Sequence, residues 1–243
     1  MPKSDKIKPM KHRFFFFLFL LFLCFSSLES SPTFKERLEA AKEGDYIVTS
    51  QNAHYSLLMI RRLREEELVL EEITAPANAL KSKKESWQQW IAKKAPGHTA
   101  WIIYTFDLKN NRLKECYSPA QRQKLYLEQS QSIFTKLLTL PLIPTPEKER
   151  KRIGPAPAEG DLDRRKLWVP PLFRRGKKHP SPHFEVVKTT WPKDQSRLSQ
   201  CAIELYFDEA LPSFPFPYML EIQGAAYAFK LQAIDSGNIY EQL

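Results

Sequence analysis

Short runs of apolar residues, many of them alternating with polar ones, recur between position 45 and position 234 and are separated by turn-forming residues. Such runs predict β-strands. In one of them Ile203 and Leu205 share one side while Glu204 and Tyr206 share the other, which is typical of a strand with one buried and one solvated face. Nine strands are predicted, at residues 45–50, 54–61, 68–74, 99–108, 112–117, 184–190, 200–207, 218–223 and 227–234.

The clearest turn lies between the fourth and fifth predicted strands, where Asn110 and Asn111 follow Lys109. Asparagine tolerates the positive φ that tight hairpins require, so we expect these two strands to be antiparallel neighbours. The first three strands are joined by residues 51–53 and by the charged segment 62–67, which predicts an antiparallel meander.

Three helices are predicted among the strands. The first follows Thr33, which has Glu36 in capping-box spacing, and ends at Gly44. The second is expected to begin at Ser82, to carry Trp87 and Trp90 on one face and to end near residue 97, whereas the third spans residues 118–140 or two pieces of that range.

Residues 141–182 contain nine of the 19 prolines, and the inner segment 147–178 has eleven basic and five acidic residues. Proline fixes φ and removes an amide donor, so this stretch predicts an extended, basic strap and neither a helix nor a central strand. Together these elements predict an α+β domain over residues 27–243. Its curved, mainly antiparallel sheet has about nine strands, of the kind that forms a half-open barrel, and is accompanied by about three helices.

The N-terminus has the order of a secretory signal peptide. Five basic residues and one acidic residue precede or flank a continuous apolar run at residues 14–25, which small polar residues follow. Twelve apolar residues rise about 18 Å as a helix, too short to span the hydrocarbon core of about 30 Å. We therefore expect residues 1–26 to be removed and the protein to be exported to the periplasm or cell envelope. The alternatives are an uncleaved anchor and acylation of Cys24.

Charge gives little support for nucleic-acid binding. The chain has a net charge of +9, which falls to +5 without residues 1–26, and the strap alone contributes +6 over residues 147–178. Glycine-rich phosphate loops, paired cysteines and HExxH are missing from the sequence, so neither a cofactor nor a metal ion is expected.

Two cysteines remain in the expected mature chain, Cys116 and Cys201. In an exported protein they are candidates for a disulfide, and two separate buried thiols are the alternative. His98 and Cys116 are separately weighed as the catalytic pair of a papain-like amidase or hydrolase, because thiolate chemistry needs an imidazole within hydrogen-bond reach.

Two segments carry a family resemblance, WIIYTFDLKNNRLKECYS at 101–118 and IELYFDEALPSFPFPYMLEIQ at 203–223, the latter followed by FKLQAIDSG. They resemble uncharacterised exported proteins of chlamydia-type bacteria, which implies a location but no activity. In outline the predicted fold is also similar to the periplasmic lipoprotein carriers, by fold analogy alone.

The sequence therefore favours an exported, non-catalytic binding protein for an apolar, lipid-like ligand or an envelope protein, with the Cys/His hydrolase as the alternative. The expected ligand-binding residues on the concave side of the sheet are Trp101, Ile103, Tyr206, Tyr218 and Leu220.

The basic strap is also a candidate for contact with an anionic membrane surface, because its basic clusters flank an apolar patch around Trp168. The residues concerned are Arg164, Arg165, Lys166, Arg174, Arg175, Lys177 and Lys178. The alternative is a solvated loop that Trp168 anchors to the core.

Overall fold

The fold is an α+β domain dominated by one large antiparallel sheet. A computed structural model describes residues 33–80, 85–126, 133–225 and 228–241. The expected signal peptide and Cys24 lie outside these residues. The helices are α1 (Phe34–Glu39), α2 (Ala77–Leu80), α3 (Trp87–Ala92) and α4 (Ile133–Leu137). The strands are β1 (Asp45–Gln51), β2 (His54–Arg64), β3 (Glu67–Pro76), β4 (Ala100–Asp107), β5 (Arg112–Ser118), β6 (Gln123–Lys124), β7 (Ile143–Pro144), β8 (Leu172–Arg174), β9 (Lys177–His179), β10 (Phe184–Thr190), β11 (Ala202–Asp208), β12 (Met219–Gln223) and β13 (Ala228–Asn238).

Over the described residues, the main sheet has eleven strands in the order β6-β5-β4-β3-β2-β1-β13-β12-β11-β10-β7. The first half is the predicted meander, and the second half is a run of neighbours from β10 to β13. The last strand returns to the middle of the sheet and pairs antiparallel with the first, Ile47 opposite Ser236. The nine predicted strands are all present, and the sheet is not closed into a barrel among the described residues.

Apolar side chains are buried on both faces of the sheet. A large cluster includes Phe34 and Leu38 of α1 together with Leu205 and Phe207 of β11. A smaller cluster includes Leu57 and Ile73 of the meander, against which α3 packs through Trp90. Because each strand contributes alternate residues to a buried face, the period-two pattern of the sequence predicted the strands correctly.

The helix predictions are partly wrong. Helix α1 has the predicted capping box of Thr33 and Glu36. Helix α3 begins after Ser86, whose side chain accepts from the backbone of Gln89, and not at Ser82, which lies outside the described residues. Two Ser-x-x-Glu/Gln pairs are present here, and the later one lies directly before the apolar Trp87 and Trp90 that pack on the sheet.

Within the described residues of the third predicted helix, 118–140, the structure has shorter elements. Strand β6 pairs with the end of β5, Ser118 opposite Gln123. Helix α4 lies in the second half of the predicted range. The described remainder, up to Tyr126, is turn and strand because the β6 backbone pairs with the sheet edge.

The Pro-rich strap contains more regular structure than its prolines suggest. Ile143 and Pro144 form the edge strand β7 beside β10, a position where proline needs no ladder donor on its free side. Strands β8 and β9 form a separate two-stranded hairpin. Its turn residues Arg175 and Gly176 both have positive φ, at 52° and 71°. A short 3-10 helix also occurs in the strap, at Glu147–Glu149, so the expectation of a stretch without regular structure is corrected at all three places.

Gly224 follows β12 at a point of close packing. A Cβ atom at this position would lie 2.4 Å from Sγ of the buried Cys201. We expect Gly224→Ala to lower the free energy of unfolding by about 1 to 3 kcal/mol, as overpacking of a filled core does.

Urea denaturation of four proteins checks this: the wild type, Gly224→Ala, Cys201→Ala and the double variant. Removing Sγ leaves the next contact of the added Cβ at 3.5 Å, an ordinary distance, so the double variant should be more stable than the two single losses predict. Strictly additive losses would show that the contact with Cys201 is not the cause.

Candidate ligand-binding site

Four charged residues face each other across the second half of the sheet. Lys188 of β10 lies opposite Glu204 of β11, Glu204 lies opposite Glu221 of β12, and Glu221 lies opposite Lys230 of β13. Directly opposed residues of antiparallel strands project to the same face, so these side chains form one row, which we call the charge row. The two central carboxylates are like charges side by side, which is unfavourable unless a cation neutralises them.

The strap supplies that cation. Two short segments of it, residues 151–153 and 166–168, pair with each other and are called the strap arms. The amide of Trp168 donates to the carbonyl of Lys151 at 2.8 Å, and the amide of Ile153 donates to the carbonyl of Lys166 at 2.9 Å. This pairing holds Lys151 and Trp168 over the charge row, and residues 154–165 form the tip that joins the arms.

Lys151 is the point where strap and sheet meet. Its ammonium forms ion pairs with Glu204, at 3.9 Å, and with Glu221. The pKa of Lys151 is lowered, first by burial and then by the positive charges of Lys230 and Lys188, while Glu204 acts in the opposite direction. The carboxylate pair is thus bridged by a lysine whose own charged form is disfavoured by its surroundings.

Aromatic side chains fix the position of the second arm. The ring of Trp168 meets Tyr206 edge to face, with centroids 5.8 Å apart, and the ammonium of Lys230 lies 4.7 Å from the centroid of Trp168. The hydroxyl of Tyr206 donates to Glu204 at 2.6 Å, and burial together with this bond raises the pKa of Tyr206. The predicted wet face of β11 is therefore covered by the strap.

Between the arms and the sheet lies a cleft of about 340 Å³, which we call the strap pocket. It is lined by Lys151, Arg152, Trp168, Glu221 and Lys230. Arg152 is oriented by Asp163, at 3.5 Å, and donates to the carbonyl of Arg165 at 2.7 Å. Every lining side chain except Trp168 is charged, so the pocket suits a small polar molecule.

The five predicted ligand residues do not form one surface. Trp101 and Ile103 lie on β4, which four strands separate from β12 and Leu220. Leu220 lies opposite Leu205, the neighbour of Tyr206, so Leu220 and Tyr206 project to opposite faces. Tyr206 and Tyr218 are 2% and 0% exposed in the core. The sequence pattern marked these residues as apolar but did not distinguish a core from a concave surface.

His98 and Cys116 are not brought together. The ring of His98 packs edge-on against Trp101, and Trp101 donates to Glu71. Cys116 lies opposite Tyr104, which donates to Glu72 on the other face of the sheet. The imidazole and the thiol that the hydrolase alternative requires within hydrogen-bond reach therefore lie on opposite faces of the sheet.

Of the two alternatives for the cysteines, the structure shows separate buried thiols, since Cys116 and Cys201 are both free and buried. Six strands of the sheet separate β5 from β11, the strand that follows Cys201. Sequence spacing gave no information on this separation, because it depends on the strand order.

Cys116 should react slowly with iodoacetamide in the folded protein. Burial, with the nearby carboxylate of Glu72, raises the pKa of the Cys116 thiol. The neutral thiol thus stabilises the folded state below the ordinary thiol pKa of about 8.5. This stabilisation is lost as the pH rises through the pKa that the thiol has in the folded protein.

Mass spectrometry of the peptide that contains Cys116, after labelling at pH 7.5 with and without urea, measures this. We expect at least about tenfold slower labelling in the folded protein, because the thiolate is the nucleophile. Equal rates in both conditions would place the thiol at the surface.

The seven basic residues proposed for membrane contact divide into two groups. Arg165, Arg174 and Arg175 are ion-paired, with Asp163, Asp208 and Glu241 respectively. Arg164, Lys166, Lys177 and Lys178 are exposed. The apolar patch between them is turned inward at Leu172, which is 2% exposed, and at Trp168. Among the described residues, no helix has the length and apolar character needed to cross a membrane.

Other parts of the described chain give weaker support for a ligand site than the strap pocket does. A second cleft of about 450 Å³ lies at the β1–β2 turn and is lined by Ser50, Ala53, His54, Tyr55, Pro76, Ala77 and Asn78. No cluster of His, Cys, Asp or Glu that could hold a metal ion occurs within the described ranges.

Sequence reasoning missed Lys151, Glu204, Glu221 and Lys230 as site residues. A signal was present in the two glutamates, which interrupt the apolar strands at IELYF and MLEIQ. A carboxylate in the middle of a strand needs water or a partner, and the strap supplies the partner.

Comparison with known proteins finds a matching family and a solved structure with a similar fold. The sequence profile of a family described as "CT021 protein" matches residues 56–180, a little over half of the chain. The solved structure of the hypothetical protein CT021 from Chlamydia trachomatis is similar in fold, with a TM-score of 0.60, 20% sequence identity, and coverage of 87% of this chain and 95% of that one. A search of curated proteins finds no match.

Proposed function

The chain belongs to the CT021 protein family, and we propose that it is an exported binding protein of the cell envelope that holds a small molecule in the strap pocket. The basic N-terminus and the apolar run at residues 14–25 support export, because this order is typical of secretory signal peptides. The observation that carries the binding role is the strap pocket itself, an open cleft where two chain segments far apart in sequence bring charged and aromatic groups together.

The groups of the strap pocket are held in place by contacts within the protein. Trp168 rests against Tyr206, Arg152 is oriented by Asp163, and Lys230 lies 3.4 Å from Glu221. Side chains positioned in this way lose little freedom when a ligand binds, which favours affinity. The cleft at the β1–β2 turn lacks this combination of charged side chains with a tryptophan.

The size and the charged lining of the pocket limit the class of ligand that it can hold. Ligand sites range from about 300 to 1,000 Å³, and the strap pocket is near the lower limit. Four of its five lining side chains are charged. We therefore propose a small polar ligand in place of the apolar, lipid-like ligand expected from the sequence.

Mass spectrometry of small molecules tests this function. Protein isolated from its own cell envelope is washed and denatured, and the released molecules are identified. The wild type should release a compound that Trp168→Ala fails to retain. Trp101→Ala serves as the control, because it removes a half-buried tryptophan on the opposite half of the sheet. The same compounds from all three proteins, or none from the wild type, would contradict the proposal.

A further inference from the structure

Among the residues that the structure describes, the charge row is not balanced. Lys188, Lys230 and Lys151 bring three ammonium groups to two carboxylates, those of Glu204 and Glu221. Glu221 is shared between Lys151 and Lys230, the latter at 3.4 Å.

The fourth cation, Arg152, does not correct the imbalance. Asp163, at 3.5 Å, and Glu147, at 3.9 Å, are its acidic partners, and both belong to the strap. Its guanidinium lines the strap pocket beside Lys151 and adds a planar hydrogen-bond donor there. The charge row thus carries an excess of one positive charge, and two of its three lysines, Lys151 and Lys230, line the pocket beside Arg152.

An excess cation in a partly buried site is costly unless an anion neutralises it. The side chains of Glu204 and Glu221 are only 14% and 11% exposed, whereas Lys230 is 48% exposed toward the pocket. Lys151 already has its charged form disfavoured by burial and by the two other lysines. An anion at the pocket would be attracted by the ammonium groups of Lys151 and Lys230, the two lysines that line it.

We propose that the ligand of the strap pocket carries a carboxylate or phosphate group that binds beside Lys151, Lys230 and Arg152. This inference rests on the proposed binding function and specifies the chemistry of its ligand. A cationic ligand would add to the excess charge, and an uncharged one would leave it unneutralised. Arginine and lysine together are the residues that recognise such anions, by paired hydrogen bonds and by point charge.

Nuclear magnetic resonance titrations of the full protein with inorganic phosphate and with acetate test the inference, with choline chloride at matched ionic strength as the control. The indole N–H signal of Trp168 reports on the pocket. We expect a saturable shift with phosphate or acetate and none with choline chloride.

Three variants test whether the affinity for the anion follows the charge of the pocket. Lys230→Gln removes the excess charge and should weaken binding of the anion roughly tenfold, as one partly screened charge does at contact distance. Glu221→Gln increases the excess and should strengthen binding by a similar factor. Lys178→Gln removes an exposed lysine of β9 and should leave the dissociation constant unchanged. Because the first two variants act in opposite directions, general destabilisation cannot imitate the result.

Vesicles of phosphatidylglycerol form a second arm of the experiment. Vesicle binding that Lys230→Gln weakens would assign the anion to a lipid headgroup, and phosphate binding without vesicle binding would assign a soluble ligand. Identical constants for all four proteins, or an equal shift with choline chloride, would overturn the inference. If these titrations fail while the wild type still releases an uncharged compound that Trp168→Ala loses, the binding function stands and the anionic ligand is wrong. If both fail, both proposals fall.

Discussion

Replacing Arg174 by methionine is expected to lower the free energy of unfolding by about 3 kcal/mol, because it leaves the carboxylate of Asp208 buried without its cation. Arg174 ends β8 and forms an ion pair with Asp208 at the end of β11, where the two side chains are 21% and 4% exposed. Breaking a buried pair on one side costs more than the pair itself contributes, since the remaining charge stays out of water.

The neighbouring Arg175 provides a matched control. It forms an ion pair with Glu241, and the side chains are 35% and 49% exposed. Exposed pairs contribute about 0 to 1 kcal/mol, so Arg175→Met should have at most a small effect. Urea denaturation compares the two, and Asp208→Asn added to Arg174→Met should restore part of the loss because it removes the orphaned charge. Equal losses from the two arginine variants would contradict the burial of the Arg174–Asp208 pair.

Replacing Lys151 by methionine is expected to lower the free energy of unfolding by about 2 kcal/mol and to release the strap arms from the sheet. The variant leaves Glu204 and Glu221 opposite each other with only Lys188 and Lys230 at the flanks. The expected loss is smaller than that of a fully buried pair because Lys151 is 36% exposed and its charge is partly screened.

Lys148→Met is the control for Lys151→Met, since Lys148 is an exposed lysine of the same strap. Adding Glu221→Gln to Lys151→Met removes the carboxylate repulsion and should recover about half of the lost stability. If Lys151→Met and Lys148→Met are equally stable in urea, Lys151 does not join the strap to the charge row.

The strands of the main sheet could be predicted from the sequence because alternate residues of each strand point to the same face and enter the core on that side. The β4–β5 hairpin is an example, since Asn111 adopts the positive φ, 49°, that its turn demands. The β8–β9 hairpin was not predicted, because its turn places Arg175 as well as Gly176 at positive φ and only the glycine signals such a turn.

The candidate site could not be predicted from the sequence, for a different reason. The charge row depends on strand register: Glu204 and Glu221 are seventeen residues apart and meet only because β11 and β12 pair in that register. The strap arms are joined across a Pro-rich tip by two backbone hydrogen bonds, for which proline-rich sequence gives no periodic signal. Trp168 was recognised as an anchor, but its partner Tyr206 was assigned to a ligand surface.

Hydrogen–deuterium exchange of the strap tests the central claim most directly, namely that the arms lie paired over the sheet and form one side of the strap pocket. The amides of Ile153 and Trp168 are hydrogen-bonded across the arms, whereas residues 154–164 are exposed. Peptides that contain these two amides should exchange slowly, and more slowly still in phosphate, while the tip exchanges fast under both conditions. Arms that exchange as fast as the tip, with and without phosphate, would contradict the account.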